Sequence, residues 1–156
     1  MDRTTASTTS TVALNDTDRI AGAAVRWRVL MAEDPEQPYA TVQSIDRWRT
    51  GGASRFGEGI PASTRLGIEE ALAPRTVKWV TPEEADAYAL DSGSDTTTRQ
   101  IPIVEVGTPT VDGNTATVEA GISCGNLCGY WGRAVLEKGI EGAWAVTGTD
   151  GPQGIA

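Results

Sequence analysis

Two cysteines carry the most specific spacing in this chain, inside the glycine-rich run Cys124-Gly125-Asn126-Leu127-Cys128-Gly129. Paired thiols can form a disulfide, a redox couple or half a metal site. The C-x3-C spacing differs from the C-x2-C of thioredoxin-like and zinc-knuckle sites, and the chain has no histidine and no third cysteine to complete a tetrahedral zinc. A structural disulfide between Cys124 and Cys128 is the first expectation, with two inert buried thiols beside it and reactive chemistry the least favoured. No metal site and no cofactor are expected.

Without histidine, proton transfer falls to Asp, Glu, Tyr or Cys. Asp46 lies between Ile45 and Arg47, and strand alternation groups it with Ser44 and Trp48. On an inward face, a carboxyl beside an indole is desolvated and suited to general acid or base work; on an outward face it simply pairs with Arg47 or Arg49. Tyr130 and Trp131 adjoin the cysteine run and precede Gly132, so they either wall a pocket or fill a core. Tyr130 is the second candidate for catalysis. Glu105, Glu119 and Arg133 fall on successive strand segments. They read as a charge ladder on the outer face, or, if that face turns inward, as a pocket lining with an arginine between acids.

These groups need elements to hold them. Ile20, Ala23, Ala24, Trp27, Leu30 and Met31 recur at helical spacing, with Asp16 or Thr17 as N-cap, while Arg19, Arg26, Arg28 and Glu33 fall largely off that stripe. Asp34-Pro35 ends the helix. A strand is expected over Tyr39 to Trp48, a loop over Gly51 to Gly59, and a short helix over Ser63 to Leu72 that Gly67 weakens. Thr76 to Val80 is a β-branched strand, and Thr81-Pro82-Glu83-Glu84 is a capping box for a helix to about Ala89. Asp91 to Arg99 is a further loop. The last third reads as four strands: Ile101 to Val106, Thr115 to Ser123, Tyr130 to Glu137 and Ala143 to Thr147. Asp112-Gly113 forms a tight turn before the second. Short hairpin connections argue for an antiparallel meander rather than a Rossmann-like parallel sheet.

The expected fold is therefore α+β, an N-terminal helix packed on a curled antiparallel meander with short extra helices. Its layout resembles the cystatin and nuclear-transport-factor-2-like roll. Residues 1–15 are polar and low in complexity and read as a disordered lead-in to one domain over 16–156.

The C-terminal region also resembles the ending of small bacterial proteins, often secreted or lipid-anchored, of uncharacterised activity. Cys124, Gly125, Leu127, Cys128, Gly129, Leu136, Glu137, Lys138, Gly142, Trp144 and Val146 match that pattern. The chain departs from it in closing on Gly154-Ile155-Ala156 rather than Trp-Ile-Ser, and in lacking a secretion signal. The resemblance implies a β-meander and no particular activity.

The 156-residue chain carries 13 basic and 21 acidic residues, a net charge of −8, which disfavours nucleic acid and anionic membrane surfaces as partners. No stretch is apolar enough for a membrane span. The expected location is cytoplasmic, or secreted or cell-envelope if a leader has been removed. Five Trp against one Phe give large apolar anchors with a polar handle. Trp27, Trp48, Trp131 and Trp144, with Arg133, are the candidate binding residues for an apolar small molecule. On this reading the protein is a pocket protein, able to act as a cofactor-free cyclase or isomerase by shape and positioning. The alternative is a non-catalytic module that recognises a protein or peptide.

Overall fold

The computed structural model describes residues 13–50, 55–92, 100–125 and 128–155. The Ser/Thr-rich start (1–12), most of the Asp91 to Arg99 loop and the Asn126-Leu127 pair of the cysteine run lie outside them. The described elements run α1 (Asp16–Ala32), β1 (Thr41–Ile45), β2 (Arg47–Thr50), β3 (Arg55–Gly59), α2 (Ala62–Leu72), β4 (Thr76–Val80), α3 (Pro82–Ser92), β5 (Ile103–Val106), β6 (Thr110–Asp112), β7 (Thr115–Gly125), β8 (Cys128–Lys138) and β9 (Trp144–Ile155). The α+β class holds.

The main sheet has the order β4-β1-β5-β7-β8-β9, with β6 paired to β7. The pairings among β5 to β9 are all antiparallel, as the hairpin turns require, and Gly113 takes a positive φ of 62° in the β6–β7 turn. The first half differs from a pure meander: β1 runs parallel to both β4 and β5. The reason is connectivity, since α2 lies between β1 and β4 and α3 between β4 and β5, and helical crossovers return the chain in the same direction. The expected Tyr39–Trp48 strand is two. It breaks at Asp46, and β2 leaves the sheet to pair with β3 as a separate two-stranded ribbon across residues that were expected to be loop.

Helix α1 lies across β5, β7, β8 and β9 and against α2. Its N-cap is Asn15, one residue before the expected Asp16 or Thr17, because Asn15 and Asp18 exchange side-chain-to-backbone hydrogen bonds in a capping box. The buried stripe is also rotated. Ala21, Gly22, Ala24, Val25, Arg28 and Val29 face inward, while Leu30 and Met31 are exposed. Two neighbours flank the helix, and the α2 side accepts only small residues: a methyl group added at Gly22 would lie 2.6 Å from the Gly67 carbonyl oxygen. Gly67, read as a helix weakness, is thus the crossing point. The core on this face gathers Ile20, Val25, Val29, Val42, Ile68, Leu72, Val104, Val118, Ile122 and Leu136.

Arg28 is a buried cation beside that core, at 3% exposure. Its Nε donates to the Ala120 carbonyl at 2.8 Å, and Nη2 donates to the Gly132 carbonyl and to Gln153 Oε1, each at 3.3 Å. Burial pulls its pKa down to about 10, so it remains a cation at neutral pH. A long side chain with fixed planar donors ties the helix to β7, β8 and β9 at once.

The other face of the sheet is covered only in part. A second, smaller core joins Ile45, Val80 and Ala85, with Phe56 and Ile103 packed against it. It seats α3 and the β2–β3 ribbon over one end of the sheet.

Candidate functional site

Between α3, the β2–β3 ribbon and the strands β5, β7 and β8 lies a groove of about 860 Å³, within the range of small-molecule sites. Register sets its floor. Glu105 pairs with Gly121, Gly121 with Trp131, and Trp131 with Gly154, so these four residues form one row across β5, β7, β8 and β9. Alternation sends Ser44, Val104, Ile122 and Tyr130 to the helix side and leaves Ile45, Ile103, Glu105 and Trp131 on the groove side. Helix α3 presents Pro82, Glu83, Ala85, Asp86 and Ala89 to the groove, a wall of small residues with two acids.

Glycines decide how Trp131 sits. Its cross-strand partners on both sides are Gly121 and Gly154. The indole lies flat on Gly154, where a β-carbon would fall inside the ring, and its edge passes 3.6 Å from the place of a β-carbon on Gly129. One face is thus supported by bare backbone, and Trp131 stays 44% exposed beside the groove. Gly121 serves the neighbouring purpose: Glu105 Oε1 and Trp131 Cβ both close over it, within 3.2 and 3.3 Å of where its β-carbon would be.

Glu105 is the acid at the bottom of this groove. Arg49 of β2 reaches across from the ribbon, and its Nη1 donates to Glu105 Oε1 in a largely buried ion pair. Burial pushes the Glu105 carboxyl above the usual glutamate range. Arg49 opposes that shift, and the nearby Glu119 charge adds to it. Arg49 Nε is buried without a hydrogen-bond partner, an unsatisfied donor of the kind that collects at functional sites. Arg47 and Phe56 complete the ribbon wall.

The expected site residues are scattered by comparison. Asp46 stands at the bend between β1 and β2. Its Oδ2 is 3.8 Å from Arg65 of α2 and its Oδ1 is buried without a partner, so it pairs with neither Arg47 nor Arg49. The strand break removes the alternation that was to group it with Trp48. Tyr130 borders the groove and packs against the helix-side core. The four tryptophans do not share one space. Trp27 and Trp144 line a second groove of about 790 Å³ beside α1, Trp131 lines the first, and Trp48 packs on the helix-side core.

Arg133 is paired with Asp150 at 3.2 Å, on the exposed part of the β8–β9 hairpin. It stands opposite Glu119 in register, but Glu105 is one row away and bound to Arg49, so the expected three-residue ladder does not form. Cys124 and Cys128 are joined in a disulfide, Cα atoms 5.1 Å apart, and Cys128 closes one end of the groove. No family model, curated protein or solved structure matches the chain. The site therefore has to be read from its own chemistry. Among the described residues no cluster of three or more His, Cys, Asp or Glu could hold a metal ion, and no helix is long and apolar enough to cross a membrane.

Sequence reasoning missed Arg49, Arg47 and Phe56. The signal was available in Arg47-Trp48-Arg49-Thr50 and Arg55-Phe56-Gly57, two alternating segments around Gly51-Gly52. Read as a hairpin, they put both arginines on one face.

Proposed function

We propose that this protein binds a small, planar molecule with an apolar face and a polar edge in the groove between α3 and the β2–β3 ribbon. The observation that carries the reading is Trp131: a flat aromatic surface, backed by glycine, open to an 860 Å³ groove whose floor holds the Arg49–Glu105 pair. A ligand stacks its apolar face on the indole and presents polar groups to the pair, which suits a groove lined about equally by apolar residues and by charged ones such as Arg47, Glu83 and Asp86. A cofactor-free cyclase or isomerase is the enzymatic form of this reading, with shape doing most of the positioning. The cystatin-like and nuclear-transport-factor-2-like layout is supported by α1 lying across β5, β7, β8 and β9. The groove favoured here uses the opposite face. The Cys124–Cys128 disulfide favours an oxidising compartment, and with it a secreted or cell-envelope location.

The test is a panel of planar aromatic and conjugated small molecules read by tryptophan fluorescence, with native mass spectrometry for any co-purified ligand. Binding is expected for the wild-type chain, with a loss of about 1–2 kcal/mol in Trp131→Ala. Equal binding by both proteins, or none by either, overturns the reading.

The alternative of a peptide-binding module draws on one feature, the 12-residue strand β9, which among the described residues is paired on one side only. Edge strands of that kind accept an added strand. Protection of β9 amides from hydrogen exchange on adding a peptide library would favour it.

A further inference from the structure

We propose that Glu105 is the proton-transferring residue of the groove, a general base acting on a planar carbon acid whose electrons are delivered to an oxygen held by Arg49. The inference rests on the groove reading above and adds a reaction to it. Three features of the geometry support it. Glu105 Oε1 and Trp131 Cβ close over Gly121 from opposite sides, so the carboxylate and the tryptophan are neighbours on the groove floor and one planar ligand can meet both. A base needs a fixed direction, and the Arg49 Nη1 bond to Oε1 holds one oxygen while Oε2 carries no hydrogen bond among the described residues. The oxygen that collects charge needs a cation beside the base. Arg49 supplies it, because its Nη2 makes no hydrogen bond among the described residues.

The chemistry balances without a co-reactant. The carbon–hydrogen bond breaks and its proton moves to Glu105. The electron pair left on carbon passes through the conjugated system to an oxygen, which becomes an oxyanion against the Arg49 guanidinium. Water then takes the proton from Glu105 and restores the base. Burial favours this role, since a carboxylate stripped of water and raised above its ordinary pKa is a stronger base than one in solution. The charged groups around it are Arg49 and Arg47 on β2, Glu119 on β7, and Glu83 and Asp86 on α3. All but the two arginines disfavour a second negative charge.

A planar probe makes this measurable. In 5-nitrobenzisoxazole a base removes the ring C–H, the N–O bond breaks, a nitrile forms and the phenolate oxygen leaves as a coloured anion. The wild-type chain should accelerate this elimination about a hundredfold over acetate at the same concentration. The rate should rise with pH through a value above the ordinary glutamate range. Glu105→Gln should fall to the acetate background while Glu105→Asp keeps part of the rate. Affinity for the inert isostere 6-nitrobenzotriazole, read by tryptophan fluorescence, reports whether each variant still folds and binds. Tight isostere binding without elimination, or full elimination by a Glu105→Gln protein, overturns the role of Glu105 and leaves the groove standing. Absence of both binding and elimination also overturns it, and the ligand panel then decides the groove separately.

Discussion

A tryptophan becomes a binding surface only if something holds its far face, and here that support is the absence of side chains. Gly154 lies directly under the Trp131 indole, so alanine at this position places a methyl group inside the ring and forces the indole off the sheet. Gly154→Ala should cost about 1–3 kcal/mol in urea unfolding, the usual cost of overpacking. It should also abolish the ligand-dependent change in tryptophan emission. A Gly148→Ala protein makes the comparison: no atom lies within 4 Å of the added carbon, its φ is not in the left-handed range, and its stability should stay within about 0.5 kcal/mol of wild type. If Gly154→Ala behaves like Gly148→Ala, the indole is not seated as described. The same reasoning explains why Trp131, among the five tryptophans, becomes the candidate. Trp144 is 7% exposed and donates its Nε1 proton to Asp16, and Trp79 donates to Glu69 beneath Arg65, so both act as fasteners between elements.

At the scale of elements, the crossing of α1 and α2 sets how the helical layer sits on the sheet. A methyl group on Gly67 would lie 2.5 Å from the Asp18 carbonyl oxygen, and backbone cannot yield as a flexible side chain can. Gly67→Ala gains about 1 kcal/mol in helix propensity but separates the helices. It also disturbs the bonds that Asp18 accepts from Thr64 at 2.7 Å and Ser63 at 3.1 Å. The net should be destabilising by about 1–3 kcal/mol, measured as a lowered urea midpoint; an increase would show that the crossing is loose. This contact also marks where the sequence was legible and where it was not. Long periodic segments announced themselves: α1, the Thr81–Glu84 capping box with its two reciprocal bonds, and β7 and β8 were readable from period and turn chemistry, whereas the last strand, expected over Ala143 to Thr147, runs on to Ile155 through a glycine-rich stretch that hides it. The rotated face of α1 was not, because Leu30 and Met31 score as core by type, whereas Ala21 and Gly22 are buried by the proximity of α2. The β2–β3 ribbon was missed because glycine and arginine dilute its alternation. With it went Arg49, whose partner Glu105 lies 56 residues away. Glu105 and Trp131 were legible as residues sharing a face. That the face is a groove depends on the ribbon folding over it.

For the whole molecule, the two faces of the sheet respond to acid in opposite senses. On the helix side, Asp16 in the first turn of α1 accepts from Trp144 Nε1 at 3.1 Å and pairs with Lys138 at 3.3 Å, closing the β8–β9 hairpin onto the helix. The indole hydrogen bond, assisted by Lys138 and Arg19, holds the Asp16 carboxyl below the usual aspartate range. A depressed carboxyl contributes stability that is present above its unfolded pKa and lost as pH falls through the folded value. On the groove side Glu105 is raised, so its contribution is full below the unfolded glutamate value and is lost as pH rises through the folded one. Acid therefore loosens the hairpin from the helix while relieving the buried charge in the groove. Asp16→Asn separates the two, because asparagine keeps an acceptor for Trp144 and cannot titrate. The expected outcome is lower stability than wild type at neutral pH, and a flatter decline of the urea midpoint as pH is taken below the aspartate range. The helix-side tryptophan signal and the groove-side ligand response should then diverge in the wild-type chain, with the hairpin failing at a higher pH than the groove. Parallel acid profiles for Asp16→Asn and wild type would mean that the Asp16 contact contributes nothing to holding the hairpin against the helix.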